Sequence, residues 1–157
     1  MEKVDVASVK ALAHQVHDEQ LDKAGEPYFG HLERVAADIP DEDGKIVAWL
    51  HDAIEDGGGA ISIPTLAKFG LSVRQLHALD AISRRRGEPY DEYLRRVRQD
   101  PIALKVKKAD LADNMSEERL GRLDPEESNR LRRKYTRAVA FLASTEAGVN
   151  GECLRMR

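Results

Sequence analysis

Trp49-Leu50-His51-Asp52-Ala53-Ile54-Glu55-Asp56, followed at once by Gly57-Gly58-Gly59, is the stretch that decides how this chain reads. On a helix with about 3.6 residues per turn, Ile46, Val47, Leu50, Ala53 and Ile54 share one face. His51, Asp52, Glu55 and Asp56 fall on the opposite face, within an arc of roughly 140°. The spacing predicts one helix from about residue 41 to Asp56, ended by the glycines. Its carboxylates repel one another and crowd the C-terminal end, where the helix dipole disfavours negative charge. No lysine or arginine occupies this turn to offset them. A wet acidic face is one reading. The other is a divalent cation, which would turn repulsion into attraction.

Outward from this point the chain is punctuated like a helical protein. Val6, Val9, Ala13 and Val16 mark a first helix, expected to run to about Lys23. Gly25-Glu26-Pro27-Tyr28 is a break, with a short helix expected from Gly30 or His31. Ser62-Ile63-Pro64 and Ser72 are helix entrances, with Gly70 closing the helix between them. Gly87-Glu88-Pro89-Tyr90 repeats the earlier break and opens a helix containing Tyr93, Leu94 and Val97. Asp100-Pro101 caps a helix expected to run to about Met115, because aspartate suits the cap and proline the first helical position. Asp124-Pro125 does the same for a last long helix, whose apolar face is Leu131, Tyr135, Ala138, Val139 and Leu142. No strand is expected, so the fold class is all-α.

Composition sets the bounds. The 157 residues suffice for one compact domain with a real core. Hydrophobic residues at 41% and charged residues at 34% fit a soluble globular chain. A formal net charge of −3 argues against a nucleic-acid partner. The basic runs Arg84-Arg85-Arg86, Lys107-Lys108 and Arg132-Arg133-Lys134 read as solvated faces or helix ends. A single cysteine, Cys153, excludes a disulfide framework and a thiolate zinc site. No window approaches a membrane span and no apolar signal core follows Met1, so a cytoplasmic location is expected. The domain is expected over residues 1–145, with a flexible tail over 146–157.

Two further residues strengthen the cation reading. His31 opens a helix whose apolar residues are Leu32, Val35 and Ala36. Asp110 lies mid-helix among apolar neighbours, where aspartate is a poor helix former, and Asn114 is one turn on. The order is a histidine, an adjacent His-Asp about twenty residues later, and an aspartate about sixty residues beyond. That order resembles the HD superfamily of metal-dependent phosphohydrolases. Within it, the chain is most similar to the alarmone hydrolase domain of RelA/SpoT-type enzymes and their small stand-alone relatives. The likeness rests on His17, Lys23-Ala24-Gly25-Glu26-Pro27-Tyr28, His31, His51-Asp52-Ala53-Ile54-Glu55-Asp56 and Ala109-Asp110-Leu111 with Asn114-Met115.

The resemblance implies a compact multi-helix HD bundle with His31, His51, Asp52 and Asp110 as ligands of one divalent metal, usually manganese. Glu55 and Asp56 would handle water activation and proton transfer. Nitrogen and oxygen donors with open positions suit a hydrolytic divalent ion. Lys23, Asn114 and Tyr135 would hold a small phosphorylated nucleotide. As plain structure, Lys23 would be a solvated helix end and Tyr135 a core residue; His17 reads as a structural histidine. Asp22 stands where alarmone hydrolases typically carry arginine, and Met115 is followed by Ser116 rather than their arginine. The expected activity is removal of a 3′-pyrophosphate from guanosine tetraphosphate (ppGpp). The alternatives are a phosphomonoesterase on another nucleotide or dinucleotide, and a non-catalytic metal-containing nucleotide-binding module. The sequence leaves the oligomeric state open.

Overall fold

A computed structural model describes residues 2–144 of the chain. The expected tail over 146–157, with Cys153, lies outside the described residues. Ten helices follow one another there: α1 (Val6–Val16), α2 (Tyr28–Ala37), α3 (Glu42–Leu50), α4 (Ala53–Asp56), α5 (Ile63–Phe69), α6 (Val73–Ile82), α7 (Tyr90–Gln99), α8 (Pro101–Asn114), α9 (Glu117–Leu120) and α10 (Pro125–Ala143). The described residues contain no strand, only an isolated antiparallel bridge between Leu21 and Pro27.

Most boundaries follow from side chains that satisfy the free amides of a first helical turn. The Asp5 carboxylate accepts from the Ser8 amide and Asp41 from Gly44, while Asp100 and Asp124 each accept from two amides. Ser62 with Thr65 and Ser72 with Gln75 form reciprocal capping boxes. Gly70 ends α5 at φ +114°, a conformation that side-chain-bearing residues rarely adopt.

Helix α8 is the spine. It packs against α2, α3, α6, α7 and α10, and it buries Ile102, Ala103, Val106, Ala109 and Leu111. Leu32 and Val35 of α2, Ile46, Val47 and Leu50 of α3, and Ala78, Leu79 and Ile82 of α6 complete the adjoining core. Burial of this apolar surface is the main force that holds so many helices, most of which are too short to be stable alone.

Four expectations are corrected. The first helix ends at Val16, not near Lys23: Glu19 takes φ +62°, and Leu21 and Pro27 pair across a tight turn. Helix α2 begins at Tyr28, ahead of Gly30, because Pro27 already has the fixed φ of a helix entrance. Val139 is exposed, not part of the buried face of α10. The helix through the His-Asp pair is not continuous: α3 stops at Leu50 and α4 starts at Ala53. The His51 imidazole engages the Ala48 carbonyl at 2.7 Å, the acceptor that a continuing helix would offer to the Asp52 amide. Asp52 takes φ −105° and ψ 0°, a sparsely used region frequent at active sites.

Candidate metal centre

The break between α3 and α4 turns two neighbouring side chains toward one point. His51 Nε2 lies 3.0 Å from Asp52 Oδ2, although an unbroken helix would fan them about 100° apart. Helix α2 brings His31 and α8 brings Asp110. Asp110 Oδ1 is 2.9 Å from His31 Nε2 and 3.3 Å from His51 Nε2. His31, His51 and Asp52 each offer a donor atom within 4.8 Å of the other two. His31, His51 and Asp110 are all buried.

The outer contacts of the two imidazoles decide what they can do. A carbonyl oxygen only accepts, so His51 Nδ1 carries a proton and donates it to Ala48. His31 Nδ1 meets Asp113 Oδ2 at 2.6 Å. Each ring thus turns its Nε2 inward: protonated, that nitrogen donates to the carboxylates beside it, and deprotonated, it is the atom a metal-binding histidine offers when an outer partner fixes the other nitrogen. The donor set fits a divalent ion of intermediate softness: two imidazole nitrogens, two carboxylates and no sulfur.

Charges held around this cluster shift its members strongly. Burial would raise Asp110, but Lys107 and hydrogen bonds from both histidines hold it well below the ordinary carboxylate range. Burial likewise opposes Asp52, yet the charge of His51 and its hydrogen bond hold its carboxyl low, with help from the Tyr28 hydroxyl, which donates to Oδ2. Asp113 is drawn down to about 2, against burial, by His31 and Arg34.

Glu55 and Asp56 follow Asp52 on α4 and are exposed to solvent. Glu55 Oε1 accepts the Arg84 amide at 2.6 Å. Partial desolvation by the surrounding protein and the Asp52 charge push its carboxyl above the ordinary value, although the Arg84 amide and Lys107 pull the other way. Asp56 Oδ2 accepts from Gln20 Nε2 at 3.2 Å. His17, read as structural, is buried, and its Nδ1 meets Gln20 Oε1 at 2.7 Å. Its Nε2 has no partner among the described residues.

Lys23, Asn114 and Tyr135 line one pocket of about 300 Å³ with Gln20, Tyr28 and Arg119. Three sequence-distant residues singled out for the nucleotide therefore share a cavity. Asn114 also donates to Asp110 Oδ1 at 3.2 Å, which joins the pocket to the donor cluster. Lys23 is solvated and pairs with Glu127 at 3.6 Å. Tyr135 is half-buried against the core.

Several contributors escape a reading of the sequence. Asp113 lies three residues past Asp110, a spacing that puts it on the same helix face. Lys107, part of a run read as solvated, lies three residues before Asp110 and places its ammonium 2.9 Å from Oδ2. Only Lys108 of that pair is exposed. Arg119, on the four-residue α9, has no local signal. Its guanidinium reaches Asp113 at 3.0 Å, Asn114 at 2.6 Å and Asp22 at 3.2 Å. The remaining oxygen of Asp22 accepts from the Ala24 and Glu26 amides. The Asp22 carboxylate is thus absorbed by its own turn and by Arg119.

No family model matches the chain. A probable GTP pyrophosphokinase of Mycobacterium leprae is 31% identical over 142 residues, which cover 84% of this chain and 18% of that protein. The GTP pyrophosphokinase rsh of Brucella ovis is 33% identical over 115 residues, or 66% of this chain and 15% of that protein. The chain thus spans less than a fifth of the curated relatives it matches. Among solved structures, a metazoan ortholog of SpoT that hydrolyses ppGpp and plays a role in starvation responses superposes with a TM-score of 0.72. That likeness covers 92% of this chain and 89% of the other, at 21% identity. It shows that the fold is the all-α fold of that hydrolase. These relatives are of the RelA/SpoT type, the group that the motifs resemble.

Proposed function

We propose that residues 1–145 form a single HD-type, metal-dependent hydrolase domain that removes the 3′-pyrophosphate of ppGpp-type alarmones. One observation carries the reading: His31, His51, Asp52 and Asp110 converge from separate elements, with the exposed carboxylates of Glu55 and Asp56 on the helix that follows. The shared fold with a ppGpp-hydrolysing SpoT ortholog supports the same activity here. The pyrophosphokinase named for the curated relatives belongs to much longer proteins.

In this reading His31, His51, Asp52 and Asp110 would hold one divalent ion, and manganese is the ion we propose. When bound, the ion supplies Lewis acidity and lowers the pKa of a coordinated water. The remaining steps belong to side chains. Asp113 and the Ala48 carbonyl hold the two imidazole rings in orientation. Lys23, Asn114 and Tyr135 place the nucleotide in their shared pocket beside the cluster. The Glu55–Asp56 pair takes a proton from the attacking water and returns one to the leaving 3′-oxygen. The water oxygen joins phosphorus as the bond from phosphorus to the 3′-oxygen breaks. The products are GDP and pyrophosphate.

The test is to incubate the manganese-loaded protein with ppGpp and a panel of other phosphorylated nucleotides, quantifying pyrophosphate and orthophosphate separately. The expected outcome is pyrophosphate and GDP from ppGpp, without an orthophosphate burst. Glu55→Gln and Asp56→Asn should keep metal and substrate binding while turnover falls on the order of 10²–10⁴-fold, as for a lost acid–base group. Orthophosphate release from another nucleotide, with ppGpp untouched, would replace this reading with a phosphomonoesterase. Binding without turnover across the panel would replace it with a non-catalytic module.

A further inference from the structure

Arg119 projects into the candidate site from α9, a helix of four residues. Ser116 caps that helix by accepting the Arg119 amide, and the buried Leu120 anchors it. The Arg119 side chain therefore turns inward and is only 16% exposed. Its fork then divides. Nη1 donates to Asp113 Oδ2 at 3.0 Å and to Asn114 Oδ1 at 2.6 Å, and Nη2 donates to Asp22 Oδ2 at 3.2 Å. With both Nη1 hydrogens engaged, its 3.0 Å approach to His31 Nδ1 is a contact and not a further hydrogen bond.

Each of the three partners serves a different part of the site. Asp113 backs the His31 ring at 2.6 Å. Asn114 bridges Arg119 and Asp110: the Asp110 carboxylate only accepts, so Nδ2 must face it and Oδ1 must face Arg119. The amide can sit only one way round. Asp22 folds the turn that carries Lys23, because its other oxygen accepts the Ala24 and Glu26 amides. Asp22 and Arg119 also line both the pocket of about 300 Å³ and a second groove of about 440 Å³, so their ion pair is a shared wall between the two.

The plain alternative is a staple, an ion pair that ties the Asp22 turn to α9 and does nothing more. The charges on Asp113 speak against it. Arg34 already meets both Asp113 oxygens, at 2.6 and 3.3 Å, and His31 meets one of them, so Arg119 is not needed to neutralise this carboxylate. Arg34 is 52% exposed, however, and water screens its contact. Arg119 is the enclosed partner, and what it adds is direction. A planar fork holds its acceptors at fixed angles, which a lysine ammonium does not do. It brings the Asp113 oxygen that faces His31 and the Asn114 oxygen onto one nitrogen.

We propose that Arg119 is a positioning residue shared by the metal centre and the nucleotide pocket: it holds the carboxylate behind His31, the Asn114 amide and the Lys23 turn in one register. The proposal rests on the function proposed above and deepens it. Arg119 moves no proton and holds no ion; it acts through Asp113, Asn114 and Asp22. Its loss loosens both sites, whereas loss of the Asp22 charge loosens the pocket alone. In a staple the two ends of the ion pair are equivalent. Here they are not.

The test compares Arg119→Gln, Arg119→Lys and Asp22→Asn with wild type. It reads manganese titration without nucleotide, GDP binding and ppGpp turnover at saturating manganese, and melting curves. Arg119→Gln is expected to weaken manganese about tenfold, the low end for a residue behind a ligand, because Arg34 still holds Asp113. Asp22→Asn should leave manganese affinity at the wild-type value. Both should weaken GDP and raise the KM for ppGpp, by about tenfold in Arg119→Gln, the size of one charge-assisted hydrogen bond, with kcat moving less. Arg119→Lys keeps the charge without the fork, so it should melt with wild type yet retain part of the manganese defect; it carries the comparison if Arg119→Gln melts early. If wild type hydrolyses ppGpp while Arg119→Gln keeps its manganese affinity or its KM, or weakens manganese no more than Asp22→Asn does, the shared role is overturned and the function stands. If wild type hydrolyses no nucleotide, but Arg119→Gln weakens manganese and GDP while Asp22→Asn weakens only GDP, the shared role stands and the function falls. A wild type that binds no manganese overturns both.

Discussion

Asp110 carries several duties at once. One oxygen faces the Nε2 atoms of His31 and His51, and the other takes the Lys107 ammonium. This sharing decides how the site must be tested. Asp110→Ala would leave Lys107 buried without its counter-charge, a loss of up to about 3–5 kcal/mol that has nothing to do with metal. Asp110→Asn also loses the counter-charge but leaves Lys107 a neutral acceptor, so it should disturb the fold less than alanine does while binding substoichiometric metal. Asp113→Asn removes no proposed ligand; it weakens the contact behind His31 together with the ion pairs to Arg34 and Arg119, and is expected to lower metal affinity about 10–100-fold. Elemental analysis and metal titration of the two variants separate these effects. Full metal content in Asp110→Asn would remove Asp110 from the ligand set.

At the scale of elements, the turn ahead of α7 matters as much as the helices. Glu88 accepts from Arg96 through both carboxylate oxygens, at 2.7 and 2.8 Å. The same guanidinium donates to the carbonyls of Asp80 and Ser83, tying the turn to the end of α6. Arg84 and Tyr90 flank this knot, and Arg84 holds Glu55, so the turn fixes one wall of the candidate site. The Arg96 hydrogen bonds, opposed by burial and helped by the Arg85 amide, draw the Glu88 carboxyl down to about 2 from its ordinary 4.5. The folded pKa is the lower one, so the stabilisation is fully present above pH 4.5 and is lost as pH falls toward 2. Glu88→Gln should destabilise by about 1–2 kcal/mol at neutral pH, the range for charge-assisted hydrogen bonds. Chemical denaturation at pH 7 and pH 3 should show the gap between variant and wild type narrowing at the lower pH. A gap that is equal at both would show that the Glu88 charge contributes nothing.

Across the whole molecule, the donor set joins α2, the α3–α4 junction and α8, which lie far apart in the chain. An ion there would bind only the folded state and so stabilise all three contacts together. Free ion at a hundredfold excess over its dissociation constant adds about 2.7 kcal/mol. For a domain of this size that is roughly 5–10 °C in melting temperature. Thermal unfolding with manganese and with a chelator should differ by this amount in wild type and much less in Asp110→Asn. Identical curves in wild type would show that no ion bridges these helices.

The sequence by itself determined what local chemistry determines. Aspartate and serine caps set the helix starts, proline and glycine set the breaks, and the periodicity of α8 and α10 set their buried faces apart from Val139. The pairing of His51 with Asp52, and the order of His31 and Asp110 about them, was legible because donor types and their sequence do not depend on where the helices lie. Only the tertiary structure decided that the helix breaks between His51 and Asp52, since that break depends on the imidazole taking a backbone acceptor while its other nitrogen faces α2 and α8. It also decided the roles of Lys107, Asp113 and Arg119. A charge reads as a solvated surface residue until folding gives it a buried counter-charge, and those partners come from α2, α8 and the Asp22 turn. Asp22 shows the same physics in reverse: a charge that looks out of place in the chain is neutralised by an arginine ninety-seven residues away, because folding sets the two 3.2 Å apart.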